Sequence, residues 1–179
     1  MSTHKNMGRG ADEGMEKEQI LATVRGFDGA LVVDAVAGGD FPELVWGDAF
    51  FYYAPDGVMP RNVQPYATVV TKNYPGDDAC DLDPPGRWRL NIQVGTATFR
   101  ELTGEDPRAL EQPRGRPLDH AAADRVMPHP VYGTAGWIAV VNPAGNTSGL
   151  VVQLLRDAHE AARARFVRRH GPERLPGAD

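Results

Sequence analysis

An α+β domain built on one antiparallel sheet is expected from three features of this chain. Residues 87–94 alternate without a break, Trp88, Leu90, Ile92 and Val94 toward one side and Arg87, Arg89, Asn91 and Gln93 toward the other. That is the pattern of a half-buried strand. Shorter β-branched and aromatic runs precede it, joined by Pro- and Gly-bearing turns of the hairpin kind. Amphipathic helical patterns stand toward both ends, so helices are expected to gather on one face of a sheet of about five strands.

Residues 1–14 hold three glycines, scattered charges and no periodic apolar positions, and are expected to be a disordered leader. The single domain is expected over residues 15–170, with a flexible tail over 171–179. From Glu16, the positions Ile20, Leu21, Val24 and Phe27 recur at helical spacing, with Glu16 and Glu18 in the first turn where carboxylates favour the helix dipole. Residues 30–36 read as a strand, and residues 44–54 as a longer one dense in Trp46, Phe50, Phe51, Tyr52 and Tyr53. Pro55-Asp56-Gly57 turns the chain, and residues 66–72 run back as the partner strand. A loop over residues 73–86, with three prolines and four aspartates, leads into the alternating strand.

After Val94, Thr96 or Thr98 is expected to cap a short helix through Phe99 and Leu102 that stops at Gly104. Residues 105–117 read as a polar connector and residues 118–125 as a brief helix. Pro128 and Pro130 restrict residues 126–131 to an edge segment, whereas residues 136–142 form a clear strand. The last element is the longest, an amphipathic helix over residues 147–170 with Val151, Leu154, Leu155, Ala158, Ala162 and Phe166 as its apolar stripe. Arg163, Arg165, Arg168 and Arg169 fill its final turns, and Gly171-Pro172 stops it.

Composition narrows the functional classes. With 179 residues the chain is about one domain long and buries roughly 70% of its unfolded surface on folding. A net charge of −5 disfavours general affinity for nucleic acid. The only cysteine, Cys80, cannot form an intramolecular disulfide, and no apolar run approaches the roughly 18 residues that span a bilayer, so a cytoplasmic protein without membrane contact is expected. There is no GxGxxG, GxxxxGK[ST], CxxC or HExxH pattern, and the aspartates at 77, 78, 81 and 83 lack the spacing and distal Glu of an EF-hand loop. Neither a cofactor nor a metal is expected.

The residues with chemical capacity fall in a few places. Arg87, Arg89 and Asn91 share the open face of the alternating strand, where guanidinium forks suit a carboxylate or phosphate; a solvated face paired with acids such as Asp48 is the plainer alternative. His129 is held between Pro128 and Pro130, a setting for a proton shuttle or for an ordinary hydrogen-bonded histidine. Tyr132 and Trp137 follow closely, to line a pocket or to pack. Trp46, Tyr52 and Lys72 complete the candidate ligand-binding set, and Tyr132 joins His129 as a candidate catalytic residue.

Trp46-Gly47-Asp48, residues 51–57 and 65–75, Arg89-Leu90-Asn91-Ile92, and His129-Pro130-Val131-Tyr132-Gly133 with Gly136-Trp137 resemble an actinobacterial family of small proteins known only as a domain of unknown function. The resemblance covers nearly the whole chain after Met15 and brings no chemistry. More distantly, the order of a strand, a capped helix with Phe99, a His-Pro step, the Trp137 strand and a long terminal helix is similar to the MmcQ/YjbR-like proteins. That similarity implies a compact α+β fold related to that of frataxin-like proteins, and the MmcQ/YjbR-like proteins are often guessed to bind DNA.

The leading expectation is a bacterial protein, monomeric or homodimeric, that binds a small polar or anionic ligand on the face of Arg87, Arg89 and Asn91. A rival is a small-metabolite enzyme in which His129 moves a proton, Arg89 holds an anion, and Tyr52 or Tyr132 donates a hydrogen bond. A third is a nucleic-acid or protein interaction module using the basic end of the last helix. The enzyme reading turns on whether Arg89 and His129 share a cleft.

Overall fold

The computed structural model describes residues 14–112 and 117–172. The expected leader over residues 1–14 lies outside them apart from Gly14, as do residues 173–179 of the expected tail and residues 113–116 of the connector. Helix α1 spans Lys17–Arg25, and the Glu16 amide at its start donates to Gln19 Oε1 at 2.7 Å. Strands β1 (Ala30–Asp34), β2 (Ala49–Tyr53), β3 (Ala67–Val70) and β4 (Arg89–Gln93) follow, then helix α2 (Thr96–Thr103), strands β5 (Met127–Pro128) and β6 (Trp137–Val141), and helix α3 (Ser148–His170). All pairings are antiparallel in one sheet of order β1-β2-β3-β4-β6-β5. The expected α+β architecture holds, with six strands instead of about five because the edge segment at Met127 and Pro128 pairs with β6. Pro128 has no N–H to give to a ladder and is tolerated at an edge.

Strand alternation divides the side chains between two faces. Phe51, Val69, Leu90, Ile92, Ile138 and Val140 point toward the helices and form the main core with Ile20, Val24, Phe99, Val151 and Leu155. The stripe of α3 crosses this face and ends in an aromatic cluster, where Tyr66 donates its hydroxyl to His159 Nδ1 (3.1 Å) and His159 Nε2 donates to the Asp28 carbonyl (2.8 Å). A smaller core on the opposite face joins Cys80 and Leu82, from the loop before β4, to Met127, Ala139 and Val141. That loop covers one end of the second face and leaves the other end open.

Three local expectations need correction. Residues 43–45 form a 3-10 turn, so the long strand starts only at Ala49. Helix α2 begins after Gly95 and has no side-chain cap, since Thr96 lies inside the helix where its hydroxyl cannot reach the first free N–H groups. No helix forms over residues 118–125: Ala123 bridges to Val141, and Asp124 sits in the left-handed region at φ 54°. Its carboxylate is recruited by the start of α3, accepting from the amides of Ala144 (2.8 Å), Asn146 (2.9 Å) and Thr147 (3.0 Å) and from the Thr147 hydroxyl (2.6 Å). Helix propensity is a weak preference, and a carboxylate that satisfies several N–H donors outweighs it.

Candidate functional site

The open part of the second face holds a cavity of about 610 Å³. Its floor follows from strand register. Asn91 lies between Thr68 of β3 and Ala139 of β6, and Arg89 lies beside Val141, so Arg89, Asn91 and Thr68 point the same way while Leu90 and Ile92 face the helices. Phe50, Val70, Tyr74, Tyr132 and Trp137 form much of the wall. Tyr132 is 56% exposed, so an aromatic ring stands at the mouth without being needed by the core.

Arg89 is only 1% exposed and does not meet solvent as an anion clamp would. Its guanidinium grips Asp77 at both ends, Nη1 to Oδ1 at 2.8 Å and Nη2 to Oδ2 at 2.6 Å, and Nη1 also reaches Cys80 Sγ at 3.4 Å. Asp77 arrives through Tyr74-Pro75-Gly76-Asp77, closed by hydrogen bonds between Tyr74 and Asp77 in both directions. Proline then glycine at the two central positions, with Gly76 at φ 77°, is what a type II turn requires. Burial alone would raise the Asp77 pKa, but the hydrogen bonds and charge of Arg89 hold it below the usual carboxylate range.

His129 completes the floor. Its amide donates to the Trp137 carbonyl at 2.9 Å, and its Nδ1 accepts from the amides of both Val131 and Tyr132 at 3.0 Å. Two donors on Nδ1 leave the ring proton to Nε2, which stands 4.0 Å from Asp77 Oδ2. Burial, then the positive charge of Arg89, push the His129 pKa down to about 3, with Asp77 opposing them. The imidazole is thus a fixed neutral donor: Nδ1 is occupied, and Nε2 already carries a proton.

Among the described residues, two buried side-chain atoms have no hydrogen-bond partner, Arg89 Nε and Asn91 Oδ1. They belong to neighbouring residues on the same face of β4, both in the floor of this cavity. An unmet buried polar group costs about 1–3 kcal/mol. Asn91 Nδ2 by contrast is fixed, donating to Thr68 Oγ1 at 3.0 Å.

Of the residues singled out from the sequence, Arg89, Asn91, His129, Tyr132 and Trp137 come together here. The others do not line this cavity. Arg87 was expected on the same open face, but β4 starts at Arg89 and the Arg87 guanidinium pins loops instead, bonding the carbonyls of Asp81 (2.6 Å), Cys80 (2.9 Å) and Ala121 (2.7 Å). Lys72 Nζ binds the Trp46 carbonyl at 2.6 Å and Asp48 at 3.3 Å, and Trp46 Nε1 donates to the Phe41 carbonyl at 2.8 Å. Tyr52 lines a different cavity. Asp77, Tyr74 and Thr68 were missed. The Pro-Gly turn before Asp77 was the available signal, because it aims one aspartate of the acidic loop inward. Tyr74 donates to Asp48 Oδ2, and burial followed by that carboxylate raises its pKa.

The fixed tautomer has a pH consequence. Above about pH 6.5 histidine is neutral in both folded and unfolded chains and contributes nothing; below it the unfolded chain takes up a proton that folded His129 refuses. Stability therefore falls with pH, by up to about 1.4 kcal/mol per unit from this group. His129→Asn, whose side-chain oxygen can still accept from the turn amides, is expected to decline less steeply between about pH 6 and pH 4. Urea denaturation across a pH series measures the difference.

A family model described as a family of unknown function (DUF6194) matches residues 15–171. No curated protein and no solved structure matches the chain. Among the described residues, no helix is long and apolar enough to cross a membrane and no group of His, Cys, Asp and Glu could hold a metal ion.

Proposed function

Because the chain belongs to this family of unknown function, DUF6194, whose model spans most of its length, we propose a function from the cavity itself: it binds a small polar molecule and does not transform it. The supporting observation is the pairing of a polar floor with aromatic walls, the floor including an unmet donor on Arg89 and an unmet acceptor on Asn91. Pockets of this size with few, well-placed polar groups are typical small-molecule sites. A ligand's hydrogen-bonding edge would face Asp77, His129 and Asn91, and its body would lie against Tyr132 and Trp137.

Charge refines the ligand class. The Arg89 and Asp77 charges cancel and His129 is neutral, which favours an uncharged polar molecule over a strongly anionic one. The same geometry argues against acid/base catalysis, because His129 has no free lone pair with which to take a proton. A cytoplasmic location belongs to this proposal, supported by the lone buried thiol of Cys80. A relation to the MmcQ/YjbR-like proteins, supported by helices gathered on one face of an antiparallel sheet, and an actinobacterial origin belong to it as well.

Thermal unfolding against a panel of small uncharged metabolites tests the reading. A ligand present at 100 times its dissociation constant stabilises by about 2.7 kcal/mol. Such a hit is expected to shift the wild type strongly and Tyr132→Ala weakly, while Tyr132→Ala alone, at an exposed position, unfolds near the wild-type temperature. The bound compound is expected to be recovered unchanged by mass spectrometry. Conversion of the compound, or equal shifts in both proteins, would sink the proposal.

A further inference from the structure

A second cavity, of about 620 Å³, opens where the last turns of α3 pass over the loop between β2 and β3. The sheet-facing stripe of α3 runs through Ala158 and Ala162 to Phe166, whose ring meets Tyr53 edge-on at 5.3 Å. Helical spacing from Ala162 puts Arg165 and Arg169 on this same side, and both line the cavity. Guanidiniums there are not accounted for by solubility, which the outward faces of the helix already serve. Arg61 lines the cavity from the facing loop, with Val58 64%, Met59 51% and Val63 40% exposed around it.

Among the described residues no carboxylate pairs with Arg61, Arg165 or Arg169. Asp56, also in the lining, turns its Oδ1 to the Val58 amide at 3.1 Å. Burial, then repulsion from Arg168 and Arg169, lower the Arg165 pKa, as expected where cations crowd without a counter-charge. On a chain of net charge −5, three guanidiniums lining one concavity with no carboxylate partner among the described residues are a local reversal of sign that attracts anions.

We propose that this cavity is a second binding site, for a small amphipathic anion: a carboxylate or phosphate monoester on an apolar or aromatic body. Arg61, Arg165 and Arg169 hold the anionic group, since guanidinium forks match its oxygens, and the Val58, Met59 and Phe166 side chains cover the body. The site is distinct from the polar-ligand cavity, with which it shares only Gln64 among its lining residues.

The test is titration of 1-naphthyl phosphate into the full chain, followed by fluorescence polarisation, with 1-naphthol and inorganic phosphate as probes lacking one half of the chemistry. Saturable binding of 1-naphthyl phosphate is expected, with both controls weaker. Arg165→Gln/Arg169→Gln is expected to lose affinity by about tenfold or more. Arg163→Gln/Arg168→Gln removes the same charge from positions outside the cavity and is expected to bind within about twofold of wild type. All four residues are on the helix surface, and unchanged thermal unfolding of both variants confirms that binding alone is being read. Equal losses in the two double variants would reduce the effect to diffuse charge and overturn the site. So would equal affinity for 1-naphthol, or absence of saturable binding to the wild type.

Discussion

Replacing Asp77 with alanine will destabilise the protein by about 3–5 kcal/mol, the usual cost of leaving a buried charge without its partner. Arg89 is one of the largest fully buried side chains, and Asp77 takes both ends of its guanidinium. Without that carboxylate the cation keeps only the Cys80 Sγ contact among its side-chain hydrogen bonds. The ion pair also closes a fold-level contact, because Asp77 anchors the loop that lays Cys80 and Leu82 over β6. Asp77→Ala is therefore expected to expose the Cys80 thiol, now 1% accessible, and to speed its reaction with a thiol reagent in the folded state. The double variant Asp77→Ala/Arg89→Met removes both charges and is expected to recover most of the loss, as replaced buried ion pairs generally do. Urea denaturation of the wild type, both single variants and the double variant measures the coupling; additive losses would show that the two side chains act separately.

Asp124→Ala is the next largest expected loss, about 3 kcal/mol. One carboxylate serves three amides and a hydroxyl at the entrance to α3, a helix that has no cap of its own. Alanine removes those bonds and must also hold a left-handed conformation that aspartate and asparagine tolerate better. Asp124→Asn keeps the backbone preference and one acceptor oxygen, and is expected to lose about half as much. Those bonds lower the Asp124 pKa against the opposing effect of burial. Its contribution is thus present above the ordinary aspartate range and disappears as pH falls through the lowered folded value. Denaturation of both variants at neutral pH checks the order; a loss in Asp124→Asn equal to that in Asp124→Ala would remove the conformational part of the account.

The sheet was legible because alternation carries its own geometry. Leu90 and Ile92 had to face one side if Arg89 and Asn91 faced the other, and the structure places them so. The terminal helix was legible because its apolar stripe recurs over the whole element, from Val151 to Phe166. Edges and loops were less so. Arg87 continued the alternation in sequence, yet the carbonyls of three loop residues held it outside the strand. Residues 118–125 had helical composition but lost to a distant demand, the free amides before α3, which no local pattern announces.

For the site, Arg89 and His129 stood out by residue type and setting, but their relation did not. Adjacency came from β4 pairing with β6, which brings His129 in through its bond to the Trp137 carbonyl. Asp77 was read with its neighbours as one acidic loop, whereas the Pro75-Gly76 turn singles it out and gives Arg89 the partner that a buried guanidinium requires. That partner changes the functional meaning of the face. An unpaired Arg89 would clamp anions, and a paired one supports a cavity with little net charge.

The distinction between a binding cavity and a catalytic one rests on His129, and its ring nitrogens can be observed directly. Long-range proton–nitrogen correlation spectra of histidine-labelled protein, recorded from about pH 5 to pH 8, report which nitrogen carries the proton and whether it titrates. A neutral Nε2-protonated ring that stays unchanged over this range is the predicted result, with Nδ1 hydrogen-bonded as an acceptor throughout. A ring that takes up a proton near its ordinary pKa, or that carries its proton on Nδ1, would contradict the fixed donor and return His129 to the role of a proton carrier.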